Sequence, residues 1–335
     1  MLEHGGRLRQ AAAHYGIAVE GWLDLSTGLA PYVWPLPAFS PAIWARLPEE
    51  GDGLEAIAAS YYGAAQALPV AGSQAAIQAL PQLFASGCVG ILEPCYAEHR
   101  HAWSRAGHEI IGMDKADVAS HLERLDVMVV VNPNNPTGTQ IDVETLLEWH
   151  EQLHRRGGCL IVDEAFADIS PENSLAAFSG LPGLIVLRSL GKFFGLAGVR
   201  LGFVLSEAGM LAALQQQLGP WSVSGPARAV GKAVLADHTT QTLWRARLRR
   251  DAQRLTDLLA EYGLSPAGGC ALFQWVPHPQ AADIHAALAR QGILLRLFEQ
   301  PAALRIGLPG SESAWQRLTT ALAQMGLSTP ARADA

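Results

Sequence analysis

The feature that most constrains this chain is a series of short, almost wholly apolar runs separated by longer amphipathic stretches between about Leu68 and Leu205. CysValGlyIleLeu (88–92) precedes a helix-like 97–106, and AspValMetValValVal (126–131) precedes a loop and then a helix over 142–156. CysLeuIleValAsp (159–163) and LeuIleValLeuArg (184–188) follow. Runs this short and this apolar predict strands buried on both faces, the condition of a mostly parallel sheet covered by helices. Ligands of such sheets gather at the carboxyl ends of the strands, so the loops after these runs are where chemistry is expected.

After Pro226 the texture changes to long helical segments, including the Arg-rich LeuTrpArgAlaArgLeuArgArg (243–250), and then to short strands near 270–276, 293–298 and 303–307. This reads as a smaller α+β domain, with the arginines on a solvated helix face. The Pro- and Trp-rich segment to about Pro48 has no strong period and reads as an arm packed on another surface; SerThrProAlaArgAlaAspAla (328–335) reads as a frayed tail. The expected organisation is an arm over 1–48, a large domain over 49–225, a small domain over 226–330 and a tail over 331–335. No internal repeat is present.

With 335 residues, 49% of them hydrophobic and 16% charged, the chain can bury an enzyme-sized core. Lys and Arg number 24 against 31 Asp and Glu, a net charge of −7, which leaves no basic surplus for a nucleic-acid backbone or an anionic membrane. Cys88, Cys95, Cys159 and Cys270 have no CxxC spacing, and the opening residues lack an apolar leader core. A cytoplasmic location is therefore expected. No apolar run reaches the roughly 18 residues of a membrane span.

The most informative stretch is Ser189-Leu190-Gly191-Lys192-Phe193-Phe194-Gly195-Leu196-Ala197-Gly198-Val199-Arg200. A lysine among apolar and glycine neighbours, just after a buried strand, is pushed by desolvation toward the neutral amine that condenses with an aldehyde. Ser189 and Arg200 flank it with a short donor and a bidentate fork, as a bound phosphate needs. A nucleotide phosphate loop is excluded, because the G-x-x-x-x-G-K-[ST] spacing is absent and Phe193 stands where Ser or Thr is required.

Other strand ends add the missing parts. Asp163 closes a buried strand and must find a cation, for which a protonated pyridine nitrogen is chemically apt. The loop Asn132-Pro133-Asn134-Asn135-Pro136-Thr137-Gly138 offers an amide to a ring hydroxyl. Ala71-Gly72-Ser73-Gln74 opens a helix and offers backbone N–H groups to a phosphate. Lysine, aspartate, asparagine and a phosphate seat together describe pyridoxal phosphate. Taken singly, Lys192 could be a surface lysine and Asp163 a structural carboxylate; their order and spacing argue against both.

The ordered set AsnAsnProThrGly, AspGluAla and Ser-x-x-Lys with Arg eight residues on resembles the fold-type I pyridoxal-phosphate enzymes of the aminotransferase superfamily over nearly the whole chain. The resemblance implies an α/β fold with a large, mostly parallel seven-stranded sheet domain and a smaller α+β C-terminal domain. It further implies that Lys192 binds the cofactor covalently, that Asp163 pairs with the pyridine nitrogen and Asn135 with the ring hydroxyl, and that Tyr96 stacks on the ring. Gly72, Ser73, Gln74, Ser189 and Arg200 would hold the phosphate, and Arg305, in LeuArgIleGly, the substrate's acidic group.

His4-Gly5-Gly6 and Leu25-Ser26-Thr27-Gly28-Leu29-Ala30-Pro31 resemble, more narrowly, the L-threonine-O-3-phosphate decarboxylases of cobalamin synthesis, close relatives of histidinol-phosphate aminotransferases. That likeness implies decarboxylation to an aminopropanol phosphate, a homodimer, and a phosphorylated substrate held by His4, Gly5, Gly6, Gly28, Arg296 and Arg305. Transamination of an amino phosphate is the competing enzyme reading. A cofactor-binding regulator would require a fused DNA-binding helical segment, and none precedes residue 68.

Two positions depart from the family. Phe166 stands where relatives carry a tyrosine that also contacts the ring hydroxyl. Leu47 precedes Pro48 where relatives have a tyrosine reaching the partner's cofactor phosphate; Arg46 and Tyr61 are possible substitutes, each with an equally good surface or packing role. His150-Glu151-Gln152-Leu153-His154 matches the helical zinc signature H-E-x-x-H, but it falls on a helix expected to be solvated on its polar face, and no third ligand is suggested, so no metal is expected. His99-Arg100-His101 reads as a helix surface.

Overall fold

The computed structural model describes residues 4–326, so the expected tail lies outside the described residues. Two compact units emerge. One is formed by Val33–Asn135 and Thr139–Gln241, the other by the described parts of Met1–Tyr32 and Thr242–Ala335 with Pro136–Gly138.

The first unit is built on seven strands: β1 (Leu68–Val70), β2 (Cys88–Leu92), β3 (Glu109–Met113), β4 (Val127–Val131), β5 (Cys159–Asp163), β6 (Leu184–Ser189) and β7 (Gly202–Leu205). Their order is β1-β7-β6-β5-β4-β2-β3, and only β7 runs antiparallel to its neighbours. Every residue of β4, β5, β6 and β7 is buried, which explains the apolar runs that fill them as far as Asp163 in β5 and Arg188 in β6. Each fully buried Val, Leu or Ile side chain contributes about 1.5–3 kcal/mol. The edge strand β3 is only partly covered, and its Glu109 start lacks the apolar signature that makes the inner strands easy to recognise.

Parallel neighbours need a crossover, and between β4 and β5 it is the helix Val143–His154. Asp142 caps it by accepting from the Thr145 N–H at 2.8 Å, and Leu146, Trp149, His150 and Leu153 form its buried face. The expectation of a solvated polar face fails at His150. Its ring turns inward, and Nε2 meets the Pro182 carbonyl at 3.0 Å. The histidine pair of the zinc-like signature is thus divided between a packed and an exposed position. No group of three His, Cys, Asp or Glu able to hold a metal ion occurs among the described residues.

The antiparallel β7 depends on Gly202. A Cβ there would lie 2.5 Å from the Ser73 backbone nitrogen and 2.7 Å from the Arg188 carbonyl oxygen. The missing side chain lets the start of the helix Ser73–Ala79 approach the carboxyl end of β6, which carries Ser189 and leads into Lys192.

The second unit holds an antiparallel sheet of β8 (Gly268–Cys270), β9 (Phe273–Pro277), β10 (Arg296–Phe298) and β11 (Ala303–Gly307) in the order β10-β11-β9-β8. The expected strand at 270–276 is interrupted at Ala271–Leu272, and the one at 293–298 breaks at Leu295. Ile293–Leu294 pairs in parallel with Leu23–Asp24 instead of joining this sheet. The N-terminal segment, in which no strong period is legible, contains the helix Leu8–Tyr15, ended by Gly16 at φ +68°. Ala11 on that helix packs with Trp22, Ala289 and Leu294. Among the described residues no helix is long and apolar enough to cross a membrane.

Candidate active site

In the first unit the carboxyl ends of β4, β5 and β6 bring the sequence candidates together. Val131 pairs with Asp163 and Asp163 with Leu187, so the loop segment Asn132–Asn135, Asp163 and Ser189 leave adjacent strands. Asp163 is 2% exposed. Its Oδ1 accepts the Ala165 N–H at 3.0 Å, and its Oδ2 lies 2.9 Å from His99 Nε2, itself on a fully buried ring. A carboxylate buried this deeply calls for a cationic partner.

Among the loop asparagines, two are committed to local structure. Asn132 donates to the Ile141 carbonyl and accepts the Ile141 N–H, at 3.0 and 2.8 Å, closing the loop on itself. Asn134 donates to the Pro94 carbonyl at 2.8 Å, and Asn135, the amide of the sequence expectation, is half-buried next to it in the chain.

Gly72 and Arg200 meet at close range. Gly72 has φ +74°, and a Cβ on it would fall 2.6 Å from Arg200 Nη2. Arg200 is itself held at φ 56°, a conformation uncommon for a residue with a side chain, and its Nη1 donates to the Ala197 carbonyl at 3.1 Å. A bare backbone at 72 facing a fixed guanidinium is a chemical fit for phosphate oxygens. Beside it, Tyr96 donates its hydroxyl to Gln74 Oε1 at 3.1 Å, while Gln74 Nε2 donates to Glu98 Oε2 at 2.8 Å, so Gln74 and the Tyr96 ring are held.

Lys192 sits on the short helix Leu190–Phe193 with its Nζ 5.6 Å from the centroid of the Phe166 ring. Phe166 is buried and presents only hydrocarbon to the amine. Tyr61 donates to Asp168 Oδ1 at 3.0 Å, and Arg46 lies 3.7 Å from Glu49 on the surface, so neither proposed substitute for the missing tyrosine is uncommitted.

The second unit gathers most of the substrate candidates around a cavity of about 640 Å³ lined by His4, Gly5, Gly6, Ser26 and Arg296. A Cβ on Gly5 would lie 2.3 Å from the Ser26 carbonyl oxygen, so glycine is required there. The Gly6 N–H donates to Ser26 Oγ at 2.7 Å, Ser26 Oγ donates to Asp24 Oδ1 at 2.6 Å, and Arg305 Nη2 donates to the Ser26 carbonyl at 2.7 Å. Arg296 and Arg305 are cross-strand partners in register, hence on one face of the sheet. Of these two arginines Arg296 lines the cavity and Arg305 does not, being buried with its Nη2 on the Ser26 carbonyl, and Gly28 is buried and not part of the lining.

Sequence reasoning missed three residues. The reading of His99 as helix surface is overturned by its burial against Asp163; Arg100 and His101, its neighbours, are exposed. The three-residue spacing from Tyr96 to His99, close to one helical turn, was the available signal. Ser26 ties the His4–Gly6 backbone to Arg305. Arg188, adjacent to Ser189, is fully buried between Glu164 and Asp168.

A family model described as aminotransferase class I and II matches residues 52–324. Over 331 residues the chain is 58% identical to a threonine-phosphate decarboxylase of Pseudomonas aeruginosa, covering 99% of each chain. It is 42% identical over 333 residues to a threonine-phosphate decarboxylase of Sinorhizobium sp, covering 97% of this chain and 99% of that one. Among solved structures, the histidinol-phosphate aminotransferase of Sinorhizobium meliloti in complex with pyridoxal-5'-phosphate matches with a TM-score of 0.81 at 19% identity, covering 97% of this chain and 98% of the other, a likeness of fold.

Proposed function

The chain belongs to the class I and II aminotransferase family, and on that premise we propose that it is a pyridoxal-phosphate-dependent decarboxylase. It converts L-threonine O-3-phosphate to (R)-1-aminopropan-2-yl phosphate, the linker unit of the cobalamin nucleotide loop. The observation that carries this reading is 58% identity over 99% of both chains to a threonine-phosphate decarboxylase.

The residues fit the cofactor. Asp163 is a buried carboxylate suited to a protonated ring nitrogen, and the bare Gly72 backbone facing Arg200 suits a phosphate. When bound, pyridoxal phosphate supplies the sink for the electron pair left on the substrate's Cα. Asp163 would pair with the ring nitrogen, and His99 and the Ala165 N–H hold Asp163 in place. Gly72, Ser73, Gln74, Ser189 and Arg200 would hold the cofactor phosphate, Asn135 the ring hydroxyl, and Tyr96 would stack on the ring. Arg296, His4 and the Gly5–Gly6 backbone bind the substrate phosphate, with Gly28 alongside, and Arg305 binds the carboxylate. The bond between Cα and the carboxylate breaks, carbon dioxide leaves, and the electron pair on Cα takes a proton from the ammonium of Lys192.

The active form is a cytoplasmic homodimer in this reading, as the exposed Val33, Trp44, Leu47 and Trp221 of the first unit support. The test is to supply L-threonine O-3-phosphate to the holoenzyme and measure carbon dioxide against keto-acid product. Stoichiometric carbon dioxide and aminopropanol phosphate are expected. Keto acid formed with an amino acceptor would replace the reading with transamination.

A further inference from the structure

Behind the carboxyl ends of β5 and β6 lies a charged cluster that the reaction above does not use. Arg188 is 1% exposed, Glu164 0% and Asp168 1%. Arg188 Nη1 lies 2.7 Å from Glu164 Oε2, and Nη2 lies 3.0 Å from Asp168 Oδ1. Glu164 also accepts from Ser174 Oγ and, at 2.7 Å, from the Leu175 N–H. Asp168 accepts the Tyr61 hydroxyl, and the Tyr62 ring lies 4.5 Å from the guanidinium carbon.

Such a cluster is a poor way to gain stability, because desolvating three charges offsets most of what their attraction returns. Its geometry suggests a positional role instead. Glu164 and Asp168 are four residues apart, Glu164 just before a tight turn and Asp168 in the short 3-10 helix Ala167–Ile169 into which it runs, and a single planar guanidinium reaches both. Midway between them is Phe166, whose ring faces Lys192 Nζ at 5.6 Å. Strand alternation adds a second relation. The Glu164 N–H donates to the Leu187 carbonyl at 2.9 Å, continuing the Asp163–Leu187 register by one residue. Glu164 and Arg188 therefore point to one side of the sheet, and Asp163 and Ser189 to the other.

We propose that Arg188 is a positioning residue which, by bridging Glu164 and Asp168, holds the loop between them closed and keeps the Phe166 ring against Lys192. The ring excludes water from the amine and fixes the point from which its proton reaches Cα. The proposal rests on the assignment of Lys192 as the cofactor lysine.

A double-mutant cycle in the holoenzyme tests it. Arg188→Lys keeps the charge and loses the fork; Phe166→Leu keeps apolar bulk and loses the ring. Each single variant should lower kcat roughly tenfold with KM changed less than about twofold, and the double variant should be no slower than the worse single, since the same positioning is lost only once. The visible circular dichroism of bound pyridoxal phosphate, which reports the asymmetry of the ring's surroundings, should fall to a common amplitude in all three. Multiplying losses, about a hundredfold in the double variant, would overturn the proposal, as would unchanged kcat and dichroism in Arg188→Lys. If Arg188→Lys does not accumulate as folded protein, Asp168→Asn opens the same bridge and is read by the same criteria. Borohydride labelling of the wild-type enzyme separates the two readings. Label on another lysine defeats the site assignment, whereas label on Lys192 with multiplying losses defeats only the role of Arg188.

Discussion

His99 Nε2 lies 2.9 Å from Asp163 Oδ2, and both side chains are sealed from solvent. The helix Glu98–Arg105 delivers an imidazole to the carboxylate that closes β5. The imidazole and the Ala165 N–H hold the carboxylate in one place and orientation, so the histidine fixes where Asp163 would meet a ring nitrogen. A hydrogen bond to a charged group contributes about 1.5–3 kcal/mol, so His99→Leu should lower kcat roughly 10- to 100-fold. His99→Gln, which keeps a donor, should lose less. Carbon dioxide release in the two variants measures the difference; equal losses would show that the hydrogen bond is not what matters.

The parallel sheet was legible because β4, β5 and β6 are buried on both faces and leave uniform apolar runs. β5 and β11 run as expected from residue to residue, at Cys159–Asp163 and Ala303–Gly307. The short β1 and the edge strand β3 were not among the runs that stood out, because three residues are too few for a pattern and an edge needs less apolar sequence. The candidate site was legible where chemistry requires a residue type at a loop position, as at Lys192, Asp163 and the asparagine loop. His99, Arg188 and His150 were not, because inward or outward facing of a polar side chain on a helix or strand is decided by tertiary neighbours. His150 is satisfied by the Pro182 carbonyl, a partner that no local spacing reveals.

Purified holoenzyme should be yellow, and borohydride should fix the cofactor onto Lys192. The expectation follows from Lys192 standing beside the apolar Phe166 ring and after Ser189 in β6. Peptide mass spectrometry after reduction locates the adduct. Lys192→Ala should bind the cofactor without the reducible bond and show no turnover.

Asp52 ties the start of the helix Leu54–Tyr62 to Arg228, whose Nη2 lies 2.5 Å from Oδ1, and to Lys232, whose Nζ lies 3.0 Å from Oδ2. Burial pushes its carboxyl up, but the hydrogen bonds from Arg228 and Lys232 outweigh it and bring the value from 3.8 down to about 2. A folded value below the unfolded one contributes stability that is present above about pH 4 and lost as pH falls toward about 2. Solvent screening at this partly exposed carboxyl reduces the stability carried by the shift to about 1 kcal/mol. The melting temperature of Asp52→Asn should therefore lie below that of the wild type at pH 6, and the gap should close near pH 2. A gap unchanged across that range would remove Asp52 from the acid limb.

Arg296 and Arg305 face each other across β10 and β11, yet only Arg296 reaches the cavity that His4 and Gly6 line, while Arg305 is fixed to the Ser26 carbonyl. Threonine phosphate brings a phosphate and a carboxylate, two anions that need separate cationic seats. The half-buried Arg296, beside the Gly5–Gly6 backbone, is suited to the phosphate, and the buried Arg305 to the carboxylate. A charge-assisted contact to phosphate contributes about 2–3 kcal/mol, so Arg296→Ala should lower kcat/KM for threonine phosphate roughly 30- to 150-fold. Free threonine, which has no phosphate to lose, should be affected far less in that variant. Arg305→Ala would remove the seat proposed for the carboxylate, which both substrates carry, and should weaken both by a similar factor. Measuring kcat/KM for both substrates in both variants separates the roles. Equal losses for the two substrates in Arg296→Ala would transfer the phosphate to His4 or Arg7, which line the same cavity.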